Sequence, residues 1–126
     1  MSGTTYDTGV LLAAEAGRDD VLARHRRLLE RDLVPVVPTV VLAQAWRGGP
    51  QPRLSRLLRN CRIEDFTEDA ARATGRALAA SGTRDIVDAA VVVSALSRCD
   101  AVETSDPQDL RRIADAVGRR LDVRPA

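Results

Sequence analysis

The run Thr83-Arg84-Asp85-Ile86-Val87-Asp88-Ala89-Ala90-Val91-Val92-Val93-Ser94-Ala95-Leu96 is the most apolar of the chain, yet it carries two carboxylates near its start. It is too long for an ordinary strand and its alanines favour helix, although Val91 to Val93 alone would suit a strand. A buried helix starting near Asp85 is the expectation. Residues three apart share a helix face, which puts the Cβ atoms of Asp85 and Asp88 about 5–6 Å apart. Two like charges so close, the second walled by Val87, Ala89, Val91 and Val92, repel each other and hydrate poorly. An arginine or a metal ion should compensate them. For Asp85 alone, helix capping is the alternative: Asp is a good N-cap, and an acid three residues later resembles a capping box. Capping leaves Asp88 unexplained, because no cap requires an acid inside an aliphatic run.

The chain has 126 residues, enough for one domain with a real core, so residues 1–126 are expected to form a single unit. No apolar run approaches the length of a bilayer span, and the start lacks a basic-then-apolar signal pattern. The expected location is the cytoplasm, with no membrane partner. Net charge is only +1, so any nucleic-acid contact must come from local patches. All 19 basic residues are arginine, which a GC-rich coding sequence tends to produce without any need for phosphate binding. Cys61 and Cys99 are distant in sequence, form no CxxC and read as reduced, small hydrophobes. With one Trp, one Tyr and one Phe, no aromatic platform for stacking bases is available.

Taken in order, Thr4-Thr5-Tyr6 is a short strand that Asp7 ends. Thr8 to Ala16 follows as a helix stopped by Gly17. Asp19 then caps a helix through Arg31, with Val21, Leu22, Leu28 and Leu29 inward and Arg24, Arg27 and Arg31 outward. His25 falls on the apolar stripe and reads as a core-edge or partner-facing imidazole rather than a catalytic one, since no second titratable group accompanies it. Val34-Pro35-Val36-Val37 is a second strand, where Pro35 argues for an edge position or a very short ladder. Pro38-Thr39 opens a helix, Val40 to Arg47, closed by Gly48-Gly49 and carrying Gln44 near its middle. Arg53, Arg56 and Arg59 line one face of the next helix, a pattern shared by solvated faces and phosphate-binding stripes. Cys61 to Phe66 reads as a strand, Thr67 caps a helix to about Ala80, and Ser81-Gly82 precedes the central helix. Asp100 to Thr104 is the fourth strand. Asp106 before Pro107 is a strong capping signal, so local capping explains this acid by itself. That helix ends at Gly118, and Leu121-Asp122-Val123 is the last strand.

Strands alternating with helices imply an α/β fold with a parallel sheet covered on both faces. Ligands of such sheets collect beyond the carboxyl ends of the strands. Asp7, Asp106 and the Asp85–Asp88 pair then cluster along one rim, which no capping argument requires. Carboxylates without His or Cys partners select Mg²⁺ or Mn²⁺. Such an ion lowers the pKa of a bound water and neutralises charge on a phosphoryl oxygen. There is no P-loop, no GxGxxG and no Ser–His pair, so metal-assisted hydrolysis of a phosphodiester suits these residues best.

Tyr6-Asp7-Thr8 at a strand end, Pro38-Thr39 to Gly48 around Gln44, Asp88-Ala89-Ala90 in a buried helix and Thr104-Ser105-Asp106 after a strand together resemble a PIN domain. The nearest group is the VapC-type toxin ribonucleases. The resemblance spans nearly the whole chain and rests on the order and spacing of motifs that are individually weak. It implies a three-layer sandwich around a five-stranded parallel sheet of order 3-2-1-4-5. It also implies a divalent metal, cleavage of RNA by an in-line water, a homodimer and a small antitoxin over the active-site groove. Carried over, Asp7, Asp88 and Asp106 are the metal-binding acids, with Thr104 and Thr8 as supporting neighbours.

One departure matters: Gln44-Ala45-Trp46-Arg47-Gly48 stands where the family usually has a glutamate. An amide oxygen holds a metal-bound water but brings no negative charge. Asp85, one turn before Asp88, is the expected replacement acid, ahead of Asp109 and Glu103. Arg47 and Arg84 flank the site in sequence and are candidate phosphate contacts, with ion pairs to the local acids as the alternative. The leading expectation is a metal-dependent ribonuclease acting as the toxin of a toxin–antitoxin pair. The competing one is a catalytically silent PIN scaffold binding RNA or a protein, kept open by Gln44. A phosphoacceptor receiver domain is set aside because the chain has no lysine.

Overall fold

The structure is a computed structural model that describes residues 3–126. Its centre is the helix the apolar run predicts. This helix spans Ile86–Arg98, and its residues Ala89, Ala90, Val91, Val92, Ser94 and Ala95 are buried. Asp85 is its N-cap, and Cys99 closes it in the left-handed region at φ 57°. A continuous apolar stripe rather than propensity holds such a helix, since each buried valine contributes about 1.5–3 kcal/mol.

In chain order the elements are β1 (Thr4–Tyr6), α1 (Thr8–Glu15), α2 (Asp19–Glu30), β2 (Val36–Pro38), α3 (Thr39–Ala45), α4 (Pro52–Leu58), β3 (Arg62–Glu64), α5 (Glu68–Ser81), α6 (Ile86–Arg98), β4 (Ala101–Thr104), α7 (Pro107–Ala116) and β5 (Val123–Pro125). The five strands form one parallel sheet in the order β3-β2-β1-β4-β5. Helix α1 packs on α2, α3 and α4, while α5, α6 and α7 pack on one another, giving the expected three layers. Strands β1, β2 and β4 are buried along their whole length, as a sheet covered on both faces demands. Register matters most between β1 and β4. Tyr6 pairs with Glu103, and the Asp7 N–H donates to the Glu103 carbonyl at 3.0 Å, so both strands run out at one level.

Several expectations need correction. Of the two expectations for Pro35, the very short ladder holds and the edge position does not: β2 lies between β1 and β3 but has three residues and meets β1 through the Thr5–Val36 pair. The ladder simply starts one residue later, at Val36, and the Pro35 carbonyl still accepts from the Arg62 N–H at 2.8 Å. Losing a donor just outside a ladder costs nothing inside it. Arg18 rather than Asp19 is the N-cap of α2, and Asp19 sits in the first turn, where its charge suits the helix dipole. Arg24 does not face outward; its Nε lies 3.6 Å from the buried Glu103 carboxylate. The last strand begins at Val123, two residues beyond the predicted start. His25 is buried as expected, with Nδ1 2.9 Å from the Tyr6 hydroxyl.

The C-terminal turn of α6 carries a compensated charge cluster. Arg98 pairs with Glu64 at the end of β3 and donates to Asp100 at 3.1 Å, Thr5 at 2.9 Å and Ser94 at 2.8 Å. The Thr5 hydroxyl in turn donates to Asp100 at 2.9 Å. One guanidinium thereby ties α6, β1, β3 and the entry to β4, using the forked geometry that only arginine offers. Replacing Arg98 with Met leaves two largely buried carboxylates without their partner. We expect a loss of about 3 kcal/mol, read as a shift of the urea midpoint, with Arg98→Lys recovering only part of it.

Candidate active site

The level exit of β1 and β4 places Asp7 and Thr104 side by side. Asp7 is buried, with 4% of its surface exposed, and is the N-cap of α1. One carboxylate oxygen accepts from the Thr8 N–H at 2.8 Å and the other from the Thr104 hydroxyl at 2.7 Å. The Thr104 hydroxyl oxygen also accepts from the Asp106 N–H at 2.9 Å. A single hydroxyl therefore links the acid after β1 to the acid after β4. On the other side, the Thr8 hydroxyl donates to the Gln44 amide oxygen at 2.5 Å, which fixes α3 against the same corner.

Asp106 behaves differently from its sequence signature. It occupies the N-cap position of α7, yet its carboxylate caps no N–H group. The backbone there has φ −124° and ψ 60°, and the amide is turned towards Thr104 instead. Local capping thus fails to explain this exposed acid. For Asp85 the reverse holds: its carboxylate accepts from the Asp88 N–H at 3.0 Å, so the capping role is real. The reciprocal half of a capping box is missing among the described residues, because the Asp88 carboxylate makes no bond back to the Asp85 amide.

Electrostatics bind these acids into one group. Burial raises the Asp7 pKa, the bonds from Thr104 and Thr8 oppose that, and Asp106 and Asp85 add to it. The Asp88 carboxyl is pushed up to about 7, first by burial and then by Asp85, Asp7, Asp109 and Asp106. Acids from three separate stretches of chain therefore feel one another. Among the described residues none of them has an arginine partner, and neither Arg47 nor Arg84 forms an ion pair. The Arg47 guanidinium instead donates to the Trp46 carbonyl at 2.8 Å.

The acids do not converge tightly. Among the described residues no group of three or more His, Cys, Asp or Glu side chains stands close enough to hold a metal ion. Asp7, Asp88 and Asp106 share a rim and a field but not a ready cage. Glu103 is excluded from the rim, since strand alternation turns it to the opposite face from Thr104, towards Arg24. Asp109, ranked low from the sequence, acts on Asp88 through its charge. The link from Thr8 to Gln44 was not legible, because it joins residues 36 apart through a hydroxyl and an amide that fit any surface.

The raised Asp88 pKa has a consequence for stability. Its folded value of about 7 lies above the ordinary 3.8, so the folded chain keeps a proton that the unfolded chain has lost. This contribution is full below the ordinary carboxyl range and fades as pH rises towards 7. In chelator, Asp88→Asn should therefore become progressively more stable relative to the wild type between about pH 4 and pH 8. Melting curves across that range check it, and a constant offset would refute it.

No protein-family model matches the sequence, and no curated protein sequence matches it either. The fold does have relatives among solved structures. A chain in the crystal structure of VapBC2 from Rickettsia felis, bound to a DNA fragment from its promoter, superposes with a TM-score of 0.73 at 17% identity, covering 98% of both chains. The DNA-bound VapBC from Salmonella typhimurium gives 0.72 at 18% identity, covering 99% of this chain and 98% of that one. A toxin–antitoxin complex from Klebsiella pneumoniae gives 0.67 at 16% identity, covering 85% and 89%. Identities this low speak for architecture alone, and the strand order, the helical layers and the near-complete coverage agree: the chain has a VapC-like PIN fold.

Proposed function

We propose that the chain is a metal-dependent endoribonuclease, the toxin of a type II toxin–antitoxin pair. The observation that carries this reading is the uncompensated acid rim. The fold pairs Arg98 with Glu64 and Asp100, whereas among the described residues Asp7, Asp85, Asp88, Asp106 and Asp109 have no cationic side chain in an ion pair. Asp7 is buried and Asp88 half-buried, and like charges partly withdrawn from water are costly unless a counter-ion joins them. The all-oxygen donor set fits Mg²⁺ or Mn²⁺, which bind through one or two carboxylates and keep several waters, so no all-protein cage is required. Asp7 and Asp88 would hold the ion, with Asp106 and Asp85 adding to the negative field around it. When bound, the ion supplies an activated water and neutralises phosphoryl charge.

The chain's own groups have separable tasks. Thr104 and Thr8 hold the Asp7 carboxylate in one orientation, so its charge is preset for a cation. Asp88, with a pKa pushed up to about 7 by burial and by the neighbouring acids, would release its proton as a cation binds, which ties ion binding to pH. Arg47 and Arg84, free of acid partners, are available to phosphate oxygens. The fold's relatives occur in toxin–antitoxin complexes, which supports an antitoxin as the partner. An RNA substrate and a homodimer complete the reading.

Gln44 favours a second reading, a silent PIN scaffold that binds RNA or protein. Its amide oxygen already accepts the Thr8 hydroxyl and brings no charge to the rim. Incubating the protein with single-stranded RNA in Mn²⁺, against a chelator control, separates the two. We expect Asp7→Asn to lower cleavage by about a hundredfold or more, and Gln44→Glu to raise Mn²⁺ affinity. No metal-dependent cleavage by the wild type or by Gln44→Glu would leave the scaffold. Asp85→Asn isolates a further role, since asparagine caps as well as aspartate but has no charge. An unchanged melting temperature with weakened Mn²⁺ binding in calorimetry would make Asp85 the replacement acid; unchanged binding would leave it a cap only.

A further inference from the structure

We propose that Gly9 is a positioning residue for the acid rim: the absent side chain in the first turn of α1 lets the Ser105–Asp106 loop close against the helix and keeps Asp106 beside Asp7. The catalytic meaning of this rests on the nuclease reading, but the contact itself does not. A Cβ built on Gly9 would lie 2.1 Å from the Ser105 hydroxyl oxygen, 3.0 Å from the Ser105 Cβ and 3.4 Å from its backbone nitrogen. The hydroxyl can rotate away, whereas the Cβ and the backbone move only with the loop. Backbone conformation does not require glycine here, because Gly9 is absent from the positive-φ residues. Glycine favours a helix less than alanine does, and close approach is the compensating reason for it at this position.

The loop has little slack. Thr104, immediately before Ser105, donates to Asp7 at 2.7 Å and accepts from the Asp106 N–H at 2.9 Å. A push on Ser105 therefore acts on both bonds of the Thr104 hydroxyl and on the direction of the Asp106 carboxylate. Gly9 itself touches no ligand; it acts through the loop that it allows to close.

The test is a pair of variants, Gly9→Ala and Gly9→Ala with Ser105→Gly, which removes the opposing Cβ and hydroxyl. The readouts are the amide ¹⁵N–¹H shifts of Thr104, Ser105 and Asp106 and the Mn²⁺ affinity by calorimetry. Gly9→Ala should move all three amides and weaken Mn²⁺ binding about tenfold, and in the double variant the Thr104 and Asp106 amides should return to their positions in Ser105→Gly alone, with Mn²⁺ binding restored. Unmoved amides, or no restoration in the double variant, overturn the proposal. Should Gly9→Ala fail to fold, recovery of folding in the double variant supports it and failure of both overturns it. Absence of Mn²⁺ binding by the wild type would sink the nuclease reading, while the amide shifts would still decide the role of Gly9.

Discussion

The hydroxyl of Thr104 is the contact on which the candidate site depends. It donates to Asp7 and accepts from the Asp106 amide, so the ends of β1 and β4 are joined by one oxygen atom. This junction needs the two central strands to be parallel and level, which the Tyr6–Glu103 register provides. It also needs the junction to be dry, because a buried hydroxyl bonded on both sides keeps its geometry only where water does not compete. Thr104 and Asp7 are both buried at the point where the strands give way to helices.

Helix α6 shows two opposite solutions for charge at its ends. At the C-terminal turn Arg98 meets Glu64 and Asp100, helped by Thr5 and Ser94, and the cluster is closed. At the N-terminal turn Asp85 and Asp88 feel further acids, and among the described residues neither forms an ion pair with an arginine. The chain has 19 basic residues, so the missing partner is not a matter of supply. Uncompensated charge is costly in a fold and is found where a ligand completes the balance. The Asp88 carboxyl, pushed up to about 7, meets part of that cost by retaining its proton. Fold alone does not choose between the proposed nuclease and a silent scaffold that binds RNA or protein.

Much of the architecture was legible in the sequence. The buried helix from Asp85, the strand ends at Asp7 and Thr104, the caps at Thr67 and the glycine stops at Gly17 and Gly82 all follow from local chemistry that the structure repeats. Misplacements arose where tertiary pairing overrides local signals. Pro35 was compatible with an edge strand or a very short ladder, and only the pairing of β2 with β1 and β3 selected the short ladder. Asp106 looked like a cap because Asp before Pro caps most helices; here Thr104 takes its amide and turns the carboxylate away.

Residue types and spacing by themselves determined the alternation of strands and helices, the burial of α6 and the kind of donor at the rim, since periodicity and hydration act over a few neighbours. Tertiary structure alone decided which acids share a field, that Glu103 turns to Arg24, that Gln44 is held by Thr8, and that the acids stand near one another without forming a cage. Those are relations between residues tens of positions apart. Their distances follow from strand register and helix packing, which no local stretch of the chain encodes.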